Sequence, residues 1–178
     1  LIFDEVITGW GRTGSPFAAQ EFNVTPDIMT LAKATTNGVV PMGVVAARDG
    51  IYDAIMDAAP EGAIELFHGY TYSGIPAAVA AALAVQDIFE KENIFNRVKE
   101  ISPYFQEALH SLKDLECVEN IRGYGLLGGV DIKKKDKKDK PGKAGFQVYK
   151  SCYKNGVNLK ATGDALVLAP PFISEKKH

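Results

Sequence analysis

The chain has 178 residues, of which 46% are hydrophobic and 24% charged, and its formal net charge is −2. That apolar fraction supports a packed core and excludes a disordered chain, and the nearly balanced charge argues against a general nucleic-acid binder. The two cysteines, Cys117 and Cys152, form no CxxC pair, so neither a disulfide framework nor a zinc site is indicated. The simplest compartment is a reducing cytoplasm.

In chain order, residues 1–7 read as a buried strand with two acids, Asp4 and Glu5, set into it. An apolar opening without Met or a polar lead-in reads as the inside of a longer chain. The strand ends in Gly9-Trp10-Gly11-Arg12-Thr13-Gly14, and a short helical piece over 15–22 is stopped by Thr25-Pro26. Residues 27–32 form a second strand ending at Lys33, 42–47 a third, and 49–56 a helix. This alternation suggests a mostly parallel sheet covered by helices.

Ser73-Gly74-Ile75-Pro76 opens a long helix reaching about residue 92, rich in alanine and expected to turn Leu83, Ile88 and Phe89 inward. The apolar run within it, residues 75–85, is well short of the ~18 residues that span a bilayer. A second helix over 94–115 carries Ile94, Val98, Ile101, Phe105, Ala108 and Leu112 at three- and four-residue spacing. Short strands follow at 117–121, 126–132, 157–160 and Ala165–Leu168, interrupted by a helix over 144–154 that stops at Asn155-Gly156. They read as a smaller α+β unit with an antiparallel sheet. Between them, residues 133–140 hold six lysines and two aspartates, which read as a solvated loop.

Residues 9–14 match GxGxxG after a strand, the fingerprint of a dinucleotide site. The following helical piece is too short for a crossover, and Asp4-Glu5 sit where such a strand is normally apolar. Gly123-Tyr124-Gly125-Leu126-Leu127-Gly128 matches as well, but a strand follows it, so it reads as a hairpin turn.

Three features read better together. Asp4 in an apolar strand is expected to be buried, and a buried carboxylate needs a partner. Lys33 at the carboxyl end of a strand points into the crevice where parallel sheets place ligands, as an amine able to attack an aldehyde. Tyr70-Thr71-Tyr72-Ser73-Gly74 before a helix start offers hydroxyls and N–H groups to a phosphate. Singly, each has an ordinary alternative: a satisfied structural acid, a snorkelling lysine, helix caps. Used at once, they suit an aldehyde-bearing, phosphorylated cofactor with a cationic nitrogen, and pyridoxal phosphate is that molecule.

At these residues the sequence resembles the class III, or omega-, aminotransferases. Residues 1–14 resemble their cofactor strand and turn, and Pro26-Asp27-Ile28-Met29-Thr30-Leu31-Ala32-Lys33 resembles their Schiff-base lysine segment. Residues 63–74 and 36–43 look closest to the omega-amino acid–pyruvate (β-alanine–pyruvate) branch, and Gly163-Asp164 with Pro170-Pro171 matches the family's ending.

The resemblance implies an α/β fold. Residues 1–93 would be the C-terminal part of a PLP-dependent fold type I large domain, including the start of its connecting helix. Residues 94–178 would be a small C-terminal α+β domain with its end truncated. It implies that Asp4 pairs with the pyridine nitrogen of pyridoxal 5'-phosphate, Val6 packs on the ring, and Lys33 is the Schiff-base lysine and proton shuttle. Tyr70 and Thr71 would reach the cofactor phosphate of a neighbouring subunit in a homodimer or larger assembly. The implied reaction moves an amino group from an omega-amino acid or amine to a keto acid such as pyruvate. The alternatives are a related aminomutase or decarboxylase, or a non-catalytic fragment, since whole family members are longer. Two positions depart from the family. Ile75 stands where His is usual, and Lys160 stands where members commonly use Arg to grip the substrate carboxylate. Lysine keeps the charge but loses the bidentate fork.

Overall fold

The computed structural model describes residues 1–63, 71–136 and 138–178. The chain divides into two compact units. The first holds Leu1–Gly11 and Ser15–Asn93, and the second holds Arg12–Gly14 and Ile94–His178.

The first unit is built on a three-stranded sheet, β1 (Ile2–Asp4), β2 (Ile28–Leu31) and β3 (Val44–Ala47), in that spatial order. β1 and β2 are parallel, with Ile2 opposite Ile28 and Asp4 opposite Thr30. β3 runs antiparallel to β2, so the sheet is mixed and not mostly parallel. The reason lies in the connection: a parallel return needs a crossover, usually a helix. The link between β2 and β3 holds only a 3-10 turn, Lys33–Thr35.

Helix α1 is short, Ala18–Glu21, and α2 runs Asp49–Ala58. Helix α3, Pro76–Lys91, starts with Pro in its first turn, as expected from the missing N–H. Its buried residues are Ala78, Ala82, Val85 and Phe89, spaced along one face. Of the three side chains expected inward, only Phe89 is: Leu83 is 59% and Ile88 50% exposed. The helix is apolar almost all round, so periodicity does not single out a face, and two alanines join Val85 and Phe89 on the one that packs.

The second unit contains α4 (Ile94–His110), prolonged by a 3-10 turn at Ser111–Asp114, and α5 (Lys143–Lys154). Its four strands are β4 (Val118–Tyr124), β5 (Leu127–Ile132), β6 (Lys160–Thr162) and β7 (Ala165–Leu168). They pair antiparallel throughout, in the order β4-β5-β7-β6, as the alternating pattern suggests. Leu109 of α4 and Ala144 of α5 join Val118, Val130, Ile132 and Leu166 of the sheet in one core. Leu109 is buried where the spacing argument had placed Ala108, which is exposed.

Both glycine motifs are turns. The second closes the β4–β5 hairpin, with Gly123 opposite Gly128 and Tyr124 opposite Leu127. Gly125 takes φ +58° at the first position of the two-residue loop, where an L side chain is strained. The first motif is followed by α1, a single turn of helix that begins at Ala18.

Candidate active site

The parallel β1–β2 pair determines the geometry. Both strands finish at the same end of the sheet, β1 at Asp4 and β2 two residues before Lys33. The N–H of Glu5 continues the pairing by donating to the Thr30 carbonyl at 2.9 Å.

Asp4 is exposed, which corrects the expectation of a buried acid, and it is Glu5 that is buried, at 1% exposure. β1 is an edge strand, and the side carrying Ile2 and Asp4 is its exposed face. Strand alternation puts Ile2 and Asp4 on that face and sends Phe3 and Glu5 the other way. The Asp4 Oδ1 accepts the N–H of Val6 at 3.0 Å, fixing the carboxylate at the strand end, and Val6 itself is half-buried.

Among the described residues, no cation meets Glu5. Its carboxylate instead accepts the Ala18 N–H at 3.0 Å, the Ala19 N–H at 2.7 Å and the Thr8 hydroxyl at 2.5 Å. Three donors satisfy a charge that would otherwise be costly to bury. The Glu5 carbonyl also accepts the Gly9 N–H at 2.9 Å, and a Cβ on Gly9 would stand 2.7 Å from that oxygen. Glu5 therefore braces the whole turn that follows Asp4. Reasoning from the sequence passed over it, although an acid beside Asp4 in the same apolar segment was the available signal.

Lys33 opens the 3-10 turn with φ +45°, a left-handed conformation that L residues other than Asn and Asp seldom adopt. Its side chain is exposed, and its amine has no hydrogen-bond or ion-pair partner among the described residues. The turn beneath is buried and bonded. The Thr35 N–H and hydroxyl both donate to the Ala32 carbonyl, at 3.0 and 2.9 Å, and the Thr36 hydroxyl donates to Val40 O at 2.5 Å. The Trp10 indole N–H donates to the Thr35 hydroxyl at 3.0 Å. Trp10 is itself left-handed at φ +64°. Its backbone N–H donates to the Pro16 carbonyl at 2.6 Å, and its ring packs edge-on to Phe17 at 5.2 Å.

The other expected residues lie elsewhere. Tyr70 falls outside the described residues. Thr71 is exposed in the turn before α3, and no side chain among the described residues caps that helix, so neither Thr71 nor Ser73 serves as its cap. Lys160 belongs to the second unit, exposed as the first residue of β6 and opposite Val167. Among the described residues, no group of three or more His, Cys, Asp or Glu side chains is placed to hold a metal, and no helix is long and apolar enough to cross a membrane.

A family model described as aminotransferase class-III matches residues 1–178. An omega-aminotransferase of Caulobacter vibrioides is 46% identical over 178 residues, covering 100% of this chain and 40% of the relative. An omega-amino acid–pyruvate aminotransferase of Pseudomonas putida is 45% identical, covering 98% of this chain and 39% of the relative. Among solved structures, a thermostable (S)-enantioselective omega-transaminase from Thermomicrobium roseum matches with a TM-score of 0.87 and 34% identity. That match covers 99% of this chain and 40% of the other. An omega transaminase from Pseudomonas jessenii in complex with PMP matches at 0.86 and 32% identity, with the same coverage. The chain thus spans about 40% of the length of these relatives.

Proposed function

The chain belongs to the class-III aminotransferase family, and from that premise we propose that it forms part of a pyridoxal-phosphate transaminase. The amino donor is an omega-amino acid or amine, and the acceptor a keto acid such as pyruvate. One observation carries the reading: the parallel register of β1 and β2 brings Asp4 and the Lys33 turn to the same end of neighbouring strands. Relatives named as omega-amino acid–pyruvate and β-alanine–pyruvate aminotransferases support the substrate branch.

The residues fit pyridoxal phosphate chemically. An exposed carboxylate fixed by Val6 N–H is an acceptor for a protonated ring nitrogen, and an uncommitted amine on a buried, hydrogen-bonded turn is a nucleophile toward an aldehyde. When bound, the cofactor supplies an electron sink. Asp4 keeps the ring nitrogen protonated and Val6 gives the ring an apolar face. The Lys33 Nζ takes the proton from the donor's carbon and returns it as general acid. Tyr70 and Thr71 contribute hydroxyls to the phosphate of a neighbouring subunit, which makes the active unit a homodimer or larger assembly.

The same reading takes residues 1–93 as part of a fold type I large domain and residues 94–178 as the small domain. Lys160 supplies a point charge to a substrate carboxylate, without the fork of an arginine. Two free cysteines, Cys117 and Cys152, suit a cytoplasmic setting. Borohydride reduction of the holoenzyme carrying this chain, followed by peptide mass mapping, tests the assignment. A pyridoxyl group on Lys33 is the expected result, and one on any other lysine overturns it.

A further inference from the structure

Of the five non-glycine residues of the first unit with positive φ, two, Trp10 and Lys33, are joined by one chain of hydrogen bonds. Trp10 (φ +64°) donates from its indole to the Thr35 hydroxyl, which donates in turn to the carbonyl of Ala32, the residue before Lys33 (φ +45°). We infer that Trp10 is a positioning residue: acting through Thr35, its indole N–H holds the left-handed turn that presents the Lys33 amine. This rests on Lys33 being the cofactor lysine.

The direction of each bond makes the relay specific. A hydroxyl has one hydrogen, and that of Thr35 is committed to Ala32 O, so a lone pair must receive whatever faces it from the other side. The indole N–H is a donor with no acceptor capacity, which locks the hydroxyl in that orientation. Thr35 is 3% exposed, so water does not replace the indole. A lysine in the left-handed region relaxes toward ordinary backbone angles unless its surroundings over-determine it. The two bonds onto Ala32 O, from Thr35 N–H and hydroxyl, close the turn on one side of Lys33. The Thr36 N–H, directed at Lys33 O at 3.4 Å, is too long to hold it alone. Trp10 is in turn anchored by Pro16 O, which accepts its backbone N–H, and by the Phe17 ring, so the relay ends on a fixed point.

The test uses the holoenzyme carrying this chain, stripped of cofactor and then mixed with pyridoxal phosphate. The absorbance change reports condensation of the Lys33 amine with the aldehyde, in which a C=N bond forms and water leaves. Trp10→Phe keeps the aromatic body and loses only the donor. Thr35→Val loses the hydroxyl, and Thr35→Ser keeps it. Attachment in Trp10→Phe and in Thr35→Val is expected to slow roughly tenfold or more, while Thr35→Ser stays within about twofold of wild type. The double variant Trp10→Phe/Thr35→Val is expected to be no slower than Thr35→Val, because both changes cut one relay. Wild-type attachment rates in Trp10→Phe and Thr35→Val overturn the inference, and so do strictly multiplicative effects in the double variant. If Trp10→Phe does not fold, the Thr35→Val and Thr35→Ser pair decides alone. Wild-type protein that takes the cofactor on a different lysine instead overturns the assignment of Lys33, so the two failures are told apart.

Discussion

Arg12 and Pro170 are joined across 158 positions of sequence: the guanidinium Nη1 donates to the Pro170 carbonyl at 2.6 Å. The same nitrogen donates to Leu126 O at 3.0 Å, and the guanidinium lies 4.4 Å over the Phe172 ring. Burial pushes the Arg12 pKa down to about 10, which still leaves it charged at neutral pH. Among the described residues its charge is met by carbonyl oxygens and an aromatic face, without a carboxylate. Arg12→Met would keep the apolar stem and strand two carbonyls. A loss of about 2 kcal/mol in urea unfolding is expected, and Arg12→Lys should recover only part of it because an ammonium lacks the planar face that lies over Phe172.

Glu5 is the second prediction. Glu5→Ala removes the acceptor for the Ala18 and Ala19 N–H groups and the Thr8 hydroxyl together. The expected cost is about 3 kcal/mol or more, since buried donors are left unpaired. Glu5→Gln keeps one acceptor oxygen but turns an NH2 toward a backbone N–H, so its cost should fall between wild type and alanine. Equal unfolding midpoints for Glu5→Gln and wild type would show that the carboxylate is not needed there.

How far these contacts can be read from sequence depends on their range. The Ala165–Leu168 strand and the Pro-led start of α3 were legible, because alternation and proline chemistry act within a few residues. The order of Asp4 and Lys33 along the sheet was legible, as Asp4 ends β1 and Lys33 lies two residues beyond the end of β2. Which of Asp4 and Glu5 is buried was not. That depends on β1 lying at the sheet edge and on α1 presenting its N–H groups to one side only. The buried face of α3 was hidden for the opposite reason, an excess of apolar residues with no polar stripe to orient it. The bond from Trp10 to Thr35 spans 25 positions and leaves no local pattern.

Asp4 carries the third prediction, on activity. Asp4→Asn preserves shape and the acceptor oxygen for Val6 N–H but loses the charge that would keep a ring nitrogen protonated. Turnover should fall roughly a hundredfold or more, with thermal stability unchanged because the side chain is exposed. A turnover close to wild type would remove Asp4 from the proposed site.

Gly125 is the fourth. An added Cβ would stand 2.3 Å from Arg12 O and 2.8 Å from the Thr13 Cα, both backbone atoms that cannot swing aside, and φ is +58°. Strain and overlap add, so Gly125→Ala should destabilise by about 3 kcal/mol. The Leu126 N–H bond to Arg12 O, 2.9 Å long, should open with it, visible as faster amide exchange at Leu126.

The last prediction concerns acid. Helix α5 has Gly142 at its N-cap, in the left-handed region, and no cap from its own sequence. Asp164 caps it from the β6–β7 turn, accepting the N–H of Gly142 at 3.0 Å and those of Ala144 and Gly145 at 3.1 Å. The Gly142 and Gly145 N–H bonds hold the Asp164 carboxyl below the ordinary aspartate range, against a smaller opposing effect of burial. A folded pKa below the unfolded value of about 3.9 means that the carboxylate's stabilisation is complete above that value. It is lost as pH falls through the depressed folded pKa. The gap in Tm between wild type and Asp164→Ala should therefore be constant above about pH 5 and shrink steadily below about pH 4. Asp164→Asn, which keeps an acceptor and does not titrate, should lie between the two at neutral pH and approach wild type in acid. A gap that stays constant down to the lowest pH at which the protein remains folded would show that the carboxylate charge contributes nothing to the cap.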